Sequence, residues 1–175
     1  MIDDLLARNG QYAEAFPGPA PSSHPALHLA IVACMDARLD VYRALGLAAG
    51  DAHVIRNAGG VVTDDVIRSL VLSQRLLGTR EVILIHHTDC GMAKFTDDAL
   101  KAEIERDTGI RPPWAMEAFT DPDADIVQSV ARLKASPFLP YKDKIRGFVF
   151  EIATGRLREI GLGIPLRRVR ACHQR

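Results

Sequence analysis

Short apolar runs alternate with amphipathic stretches along most of the chain. Runs of aliphatic residues between turn-forming residues predict strands at residues 27–33, 52–56, 81–86 and 147–152. Apolar positions at helical spacing predict helices at residues 40–47, 66–77, 96–108 and 121–135. Thr63 and the acids after it are typical of a helix N-terminus, and residues 157–160 are expected to form a hairpin with the last strand. This alternation indicates an α/β fold, with a parallel sheet covered by helices on both faces.

The first 25 residues differ from the rest of the chain. Residues 2–15 have the pattern of an amphipathic helix, and the proline-rich stretch 17–25 reads as an extended tether. We therefore predict one domain over residues 1–175, with an arm and tether (1–25), an α/β core (26–160) and a tail (161–175). The arm is too small to fold alone, so it must pack on this body or on a second subunit.

Composition narrows the classes of function. Of 175 residues, 22 are basic and 22 acidic, and 47% are hydrophobic, as in an ordinary globular protein. This neutral balance removes the general electrostatic case for nucleic acid or anionic membrane partners. The apolar runs fall well short of the roughly 20 residues of a membrane span, and the N-terminus lacks the order of a signal peptide, so a cytoplasmic protein is expected. Three cysteines are too few for a disulfide framework and are better read as ligands, nucleophiles or buried small residues.

Metal-type residues follow two of the predicted strands. The first strand runs into Cys34-Met35-Asp36-Ala37-Arg38, and the third into His86-His87-Thr88-Asp89-Cys90. Ligands of parallel sheets bind just beyond the carboxyl ends of strands. If these two strands are neighbours, two thiols and an imidazole converge on one point, and that donor set suits zinc.

Each residue also has an ordinary interpretation. A single buried cysteine is more often a small core residue than a ligand, and Asp36 with Arg38 can be a local ion pair. The strand is apolar on both faces, so alternation leaves open whether His86 or His87 points at the site, although spacing to Cys90 slightly favours His87. Only the joint placement at one end of two buried strands favours a metal site.

Three protein ligands leave a fourth zinc position for water, whose pKa the metal lowers to about 7. Asp36 can occupy that position or leave it. Arg38, two residues away, can pair with the carboxylate and hold it off the metal, so that Asp36 accepts a hydrogen bond from zinc-bound hydroxide. The residues alone indicate addition of hydroxide to something small.

The motifs C-x-D-x-R (34–38) and H-x-x-C (87–90), with Arg56-Asn57-Ala58-Gly59 between them, resemble the β-class carbonic anhydrases. The resemblance runs from about residue 27 to 160. It implies a zinc lyase that interconverts carbon dioxide and bicarbonate on a sheet of four parallel strands with a fifth at the edge. It also implies a homodimer or a dimer of dimers, with N-terminal helices that cross to the partner.

By position, the resemblance assigns zinc to Cys34, His87 and Cys90, and a catalytic dyad to Asp36 and Arg38. In the family's resting form the matching aspartate can itself bind zinc, so the resemblance also implies Asp36 as a fourth ligand under some conditions. The backbone amide of Gly91 would face substrate. Many members carry a second glycine where this chain has Met92, which bears on pocket shape more than on the reaction.

Two other functions are compatible with these residues. The same site can hydrolyse a carbon dioxide analogue, carbonyl sulfide or carbon disulfide. A non-catalytic scaffold or sensing module would instead keep Asp36 on the zinc permanently, which the presence of Arg38 disfavours.

Overall fold

The computed structural model describes residues 1–18 and 22–162. Residues 163–175, with Cys172 and most of the predicted tail, lie outside it. In the described part of the chain, the strands are β1 (Leu29–Cys34), β2 (Ala52–Asn57), β3 (Glu81–His87), β4 (Ile145–Glu151) and β5 (Arg156–Glu159). The helices are α1 (Ile2–Glu14), α2 (Val41–Leu45), α3 (Asp64–Arg75), α4 (Asp97–Thr108) and α5 (Pro122–Ala135).

The five strands form one sheet in the order β2-β1-β3-β4-β5. The first four run parallel, and β5 returns antiparallel to β4 as the predicted hairpin partner. In the register of β1 with β3, Ala33 lies opposite Ile85, so the two strands end side by side at the same edge. The predicted α/β architecture and the neighbouring strands are thus confirmed.

Side chains at the element ends explain where the helices begin. Thr63 accepts a hydrogen bond from the backbone amide of Val66 and caps α3 as predicted, and Thr96 caps α4 in the same way. Asp40 caps α2, which ends already at Leu45 because Gly46 takes a left-handed conformation.

The first strand is shorter than predicted. It begins at Leu29 rather than at residue 27, because His28 has a φ of 52°, which breaks the extended backbone. The third strand extends one residue further than predicted and includes His87.

Each face of the sheet has its own apolar layer. Leu70 of α3 and Leu133 of α5 are fully buried against one face. The other face packs against α2 and the loops beyond the strand ends, through Leu39, Val41 and Phe119. The residues that could hold a metal belong to this second layer, so the site is built into the core on that side.

The N-terminal helix is different. Within Ile2–Glu14, all of which the structure describes, no residue is buried, and the side chains of Ile2, Leu5 and Leu6 are at least 56% exposed. The apolar side chains of α1 thus lie on an exposed surface. None of the helices in the described ranges has both the length and the apolar character that crossing a membrane requires.

A close backbone approach holds β1, β3 and the turn after β2 together. Gly60 has a φ of 72°, and a Cβ there would lie 2.7 Å from the backbone nitrogen of Cys34 and 3.0 Å from the carbonyl oxygen of Ile85. Those atoms are backbone and cannot move aside independently. Glycine is therefore required where the turn crosses the ends of the two strands.

We expect Gly60→Ala to destabilise the protein by more than about 3 kcal/mol, since backbone strain of about 1–2 kcal/mol adds to the overpacking. Gly155→Ala is the matched control: Gly155 has a φ of 70°, and none of the described residues comes within 4 Å of the Cβ position. It should lose about 1–2 kcal/mol only. Urea unfolding measures both, and equal losses would contradict the close-approach argument.

Candidate metal centre

The ends of β1 and β3 bring together three side chains of types that bind metal ions. Cys34 is the last residue of β1, His87 is the last of β3, and Cys90 follows after a turn. One ligand atom from each of the three lies within 4.8 Å of the other two, and all three residues are buried. The structure thus brings the sequence-predicted ligands into one cluster.

The two thiols are spaced for a shared ion. Both cysteines are free, and their Sγ atoms lie 4.0 Å apart. Two Zn–S bonds of 2.3 Å at a tetrahedral angle put the sulfurs about 3.8 Å apart, so the observed spacing fits zinc. A hydrogen bond from Cys90 holds the pKa of the Cys34 thiol well below its usual value, whereas that same bond and burial raise the pKa of Cys90. The two thiols are therefore inequivalent, with Cys34 the more acidic of the pair.

The imidazole of His87 is oriented for a metal. Its Nδ1 donates to the carbonyl oxygen of Thr88 at 2.9 Å, which leaves the lone pair on Nε2. Nε2 is buried, and among the described residues it has no hydrogen-bond partner. A buried, unpaired nitrogen beside two thiols is the arrangement that a metal ion satisfies.

The neighbouring His86 points to the opposite side of β3, as strand geometry requires. Its Nε2 lies 2.6 Å from Asp125 Oδ2 of α5, and its ring stacks on Phe119. This settles the choice that the sequence pattern alone left open. His86 joins the strand to α5, and His87 faces the cluster.

Asp36 and Arg38 form a closed pair beside the cluster. Arg38 donates from Nε to Asp36 Oδ1 at 3.0 Å and from Nη2 to Oδ2 at 2.8 Å. These side-chain hydrogen bonds hold the pKa of Asp36 well below its usual range, so the carboxylate is ionised at neutral pH and can only accept hydrogen bonds. Oδ2 of Asp36 also lies 3.7 Å from His87 Nε2. The carboxylate is therefore near the metal position while Arg38 holds both of its oxygens.

Three further polar residues, Asp89, Lys94 and Arg56, make contacts at the site that the sequence motifs did not predict. Arg38 also donates from Nη1 to Asp89 Oδ2 at 2.9 Å, and Lys94 Nζ lies 2.7 Å from Asp89 Oδ1. Lys94 and then Arg38 lower the pKa of Asp89 to about 2. Arg56 donates to the carbonyl oxygens of Cys34 and Asp36 and so fixes the loop between them. The signals for two of these residues were the charge of Asp89 inside the H-x-x-C motif and the position of Arg56 at the start of the R-N-A-G segment.

A cavity of about 400 Å³ opens next to the cluster. Lys94, Phe119 and Thr120 line it together with His87 and Cys90. Beside it, Gly91 begins a single 3₁₀ turn after Cys90; among the described residues no atom lies within 4 Å of the position where its Cβ would be. Gly91 is exposed, and apart from its chain neighbours no described residue crowds its Cβ position.

The chain is similar to known carbonic anhydrases in both sequence and structure. A family model for carbonic anhydrases matches residues 29–121. Beta-carbonic anhydrase 1 of Mycobacterium tuberculosis is 61% identical over 160 residues, which are 91% of this chain and 98% of that protein. A carbon disulfide hydrolase of Saccharolobus solfataricus is 36% identical over 183 residues, covering 90% of this chain and 88% of that protein.

Among solved structures, a carbonic anhydrase from Streptococcus mutans superimposes with a TM-score of 0.87 at 42% sequence identity. The match covers 91% of this chain and 97% of that one. The fold of this chain is therefore that of a carbonic anhydrase.

We expect Cys34→Ser and Cys90→Ser each to lower zinc affinity by more than about 100-fold, because a direct ligand matters more than the outer partners whose loss costs 10–100-fold. Cys172→Ser is the matched control, since Cys172 lies outside both predicted metal-binding motifs. Competition with a chelator of known affinity measures the change. Equal zinc affinity in all three variants would rule out this ligand set.

Proposed function

This chain belongs to the β-class carbonic anhydrases, and from that premise we propose that Cys34, His87 and Cys90 hold zinc for the reversible hydration of carbon dioxide. Membership rests on the family match and on 61% identity to a named β-carbonic anhydrase. In the reaction, water oxygen bonds to the carbon of carbon dioxide, giving bicarbonate and one released proton. In our proposal, Asp36 and Arg38 are the catalytic dyad.

The proposal about the metal rests on the buried Nε2 of His87. A buried imidazole nitrogen without a partner is costly, and here it is aimed at two thiols 4.0 Å apart. Sulfur and nitrogen donors in this number favour zinc over calcium or magnesium, which prefer oxygen ligands. Zinc held by three such ligands lowers the pKa of a water in the fourth position to about 7 and so supplies a nucleophile at neutral pH.

Asp36 orients that nucleophile in our proposal. Its low pKa keeps it a carboxylate, so it accepts a hydrogen bond from a water near Oδ2 and aims the remaining lone pair at carbon dioxide. Arg38 keeps Asp36 in this role by donating to both of its oxygens. Without Arg38, Asp36 Oδ2, which lies 3.7 Å from His87 Nε2, would be free to bind a metal held by the cluster.

Gly91 and the adjoining cavity would receive the substrate. The exposed backbone at Gly91 lets a bicarbonate oxygen approach the peptide amide, which is a hydrogen-bond donor of fixed position. The cavity of about 400 Å³ is ample for carbon dioxide and bicarbonate.

The test is stopped-flow hydration of carbon dioxide by zinc-loaded protein and by Arg38→Ala. We expect wild-type activity far above buffer, and a loss of about 100-fold or more in Arg38→Ala because Asp36 is then free to occupy the metal. Zinc should stay at about one per chain, since Arg38 is not a ligand. Arg43→Ala, an exposed arginine of α2, is the matched control and should remain active. A zinc-loaded wild type with no rate above buffer at neutral and alkaline pH would refute the function.

Carbon disulfide is the second candidate substrate, because one of the relatives with 36% identity is named a carbon disulfide hydrolase. The metal donors cannot discriminate between these small linear molecules. Relative rates on carbon dioxide, carbonyl sulfide and carbon disulfide with the same zinc-loaded sample decide between them. Azide binding at the metal would exclude the non-catalytic scaffold, in which the fourth position stays closed.

We also propose that the protein is a homodimer or a dimer of dimers in which α1 packs on a partner subunit. The exposed apolar face of α1 supports this, since an amphipathic helix gains stability by burying that face. A groove of about 780 Å³ between α3 and α5 offers apolar side chains, among them Val71, Leu72 and Phe138. Its rim carries arginines, and the first turn of α1 carries Asp3 and Asp4.

Leu5→Asp should weaken the dimer at least about tenfold, because burial of a leucine contributes about 1.5–3 kcal/mol. Ala7→Asp adds the same charge on the opposite side of α1 and should leave the dimer intact. Sedimentation velocity over a range of protein concentrations measures both. A wild-type monomer at high concentration would contradict the dimer.

A cytoplasmic location is part of the same proposal. The two cluster cysteines are free thiols, and thiols stay reduced in the cytoplasm, where they remain available as ligands.

A further inference from the structure

The guanidinium of Arg38 is held by both loops that carry the metal ligands. Nε and Nη2 donate to Asp36, as described above, and Nη1 donates to Asp89 Oδ2 at 2.9 Å. Nη2 also donates to the backbone oxygen of Asp89 at 3.1 Å. Five N–H groups are available, so these four bonds do not compete for donors. Asp89 therefore anchors Arg38 without drawing it away from Asp36.

Asp89 is itself held in place. Its φ of 55° is uncommon outside glycine and turns both its carbonyl and its carboxylate toward Arg38. The second carboxylate oxygen lies 2.7 Å from Lys94 Nζ, beyond the 3₁₀ turn that follows Cys90. A continuous chain of charged contacts thus runs from Lys94 through Asp89 and Arg38 to Asp36, with separate atoms used at each step.

Small movements within this series of charged contacts matter because the series ends at Asp36, beside the metal position. Asp36 Oδ2 is bonded to Arg38 at 2.8 Å and lies 3.7 Å from the metal-facing nitrogen of His87. A carboxylate this close to the metal position needs a rigid partner to keep it from binding there. The guanidinium provides that rigidity only if its own plane is fixed, and Asp89 fixes it from the opposite edge.

We propose that Asp89 and Lys94 are positioning residues that keep Arg38 on Asp36 and thereby keep the metal open to water. This inference rests on the proposed function, to which it adds the residues that regulate access to the metal. The contacts are partly exposed: the side chains of Arg38, Asp89 and Lys94 are 46%, 57% and 64% exposed. Exposed ion pairs are weak. Removing one of them by substitution should therefore change the ratio of Arg38-bound to metal-bound Asp36 by a few-fold, without eliminating the Arg38-bound form.

Two substitutions interrupt this series of charged contacts at different points. Asp89→Gly removes the carboxylate, and glycine accepts the positive φ without strain. Lys94→Met removes the distal charge four residues beyond the last ligand, and Lys94→Arg restores it. Lys134→Met, on the last turn of α5, is the matched control for loss of a surface lysine.

The first readout uses metal-free protein, so it does not depend on the proposed function. Nitrogen-15 NMR should show a protected Arg38 Nε–H in the wild type, Lys94→Arg and Lys134→Met. In Asp89→Gly and Lys94→Met, the solvent exchange of that proton should be faster by about threefold or more. If the Arg38 Nε–H exchanges at the wild-type rate in both Asp89→Gly and Lys94→Met, the proposal is overturned, whether or not the protein hydrates carbon dioxide.

The second readout is azide titration of the cobalt-loaded protein, followed by visible absorption. Because Asp36 would close the fourth position more often, the azide concentration for half-saturation should rise about fivefold in Asp89→Gly and about threefold in Lys94→Met. The kcat should fall in parallel, with metal content unchanged. Adding Lys94→Met to Asp89→Gly should have no further effect, because Lys94 acts through Asp89. Independent effects of the two substitutions, or wild-type azide affinity in both, would refute the relay.

Discussion

The parallel pairing of β1 with β3 is the constraint on which the site depends. Each strand contributes its last residue to the cluster, and neither strand end alone has more than one ligand on that face. Pairing in this register puts Cys34 and His87 at one edge, and the turn after β3 returns Cys90 to the same point. Gly60 crosses directly over both strand ends, where no side chain fits. The backbone thus positions the donors before any metal is present.

Charge balance explains why the polar residues surround the cluster as they do. The carboxylate of Asp36 lies beside two buried thiols, and the cation that balances it lies on the solvent side. Arg38 binds the carboxylate, and Lys94 compensates the second acid at Asp89. These cations lie outside the set of candidate metal donors, which is Cys34, His87 and Cys90. The site therefore combines a rigid buried half with an adjustable exposed half.

Relatives that are named for different substrates match this chain. A β-carbonic anhydrase and a carbon disulfide hydrolase both match nearly all of this chain. Both substrates are small, linear and electrophilic at carbon, so an oriented oxygen nucleophile suits either. A fold does not by itself determine the substrate, and the cavity beside the cluster, which Phe119 and Thr120 line, is where a small molecule can meet further side chains.

The sequence by itself determined the order and type of the elements and the N-terminal cap at Thr63. It also determined which strand ends carry the candidate ligands. All of these depend on local periodicity and on short motifs. It also indicated Cys34, His87 and Cys90 as a set, although strand alternation alone left His86 as an alternative. Only the tertiary structure decided that His86 faces Asp125 of α5, since the two are 39 residues apart and meet by packing. The anchoring of Arg38 by Asp89, 51 residues further along the chain, depended on the tertiary structure for the same reason. Contacts between distant segments follow from how the strands pair and turn, which no local pattern in the sequence specifies.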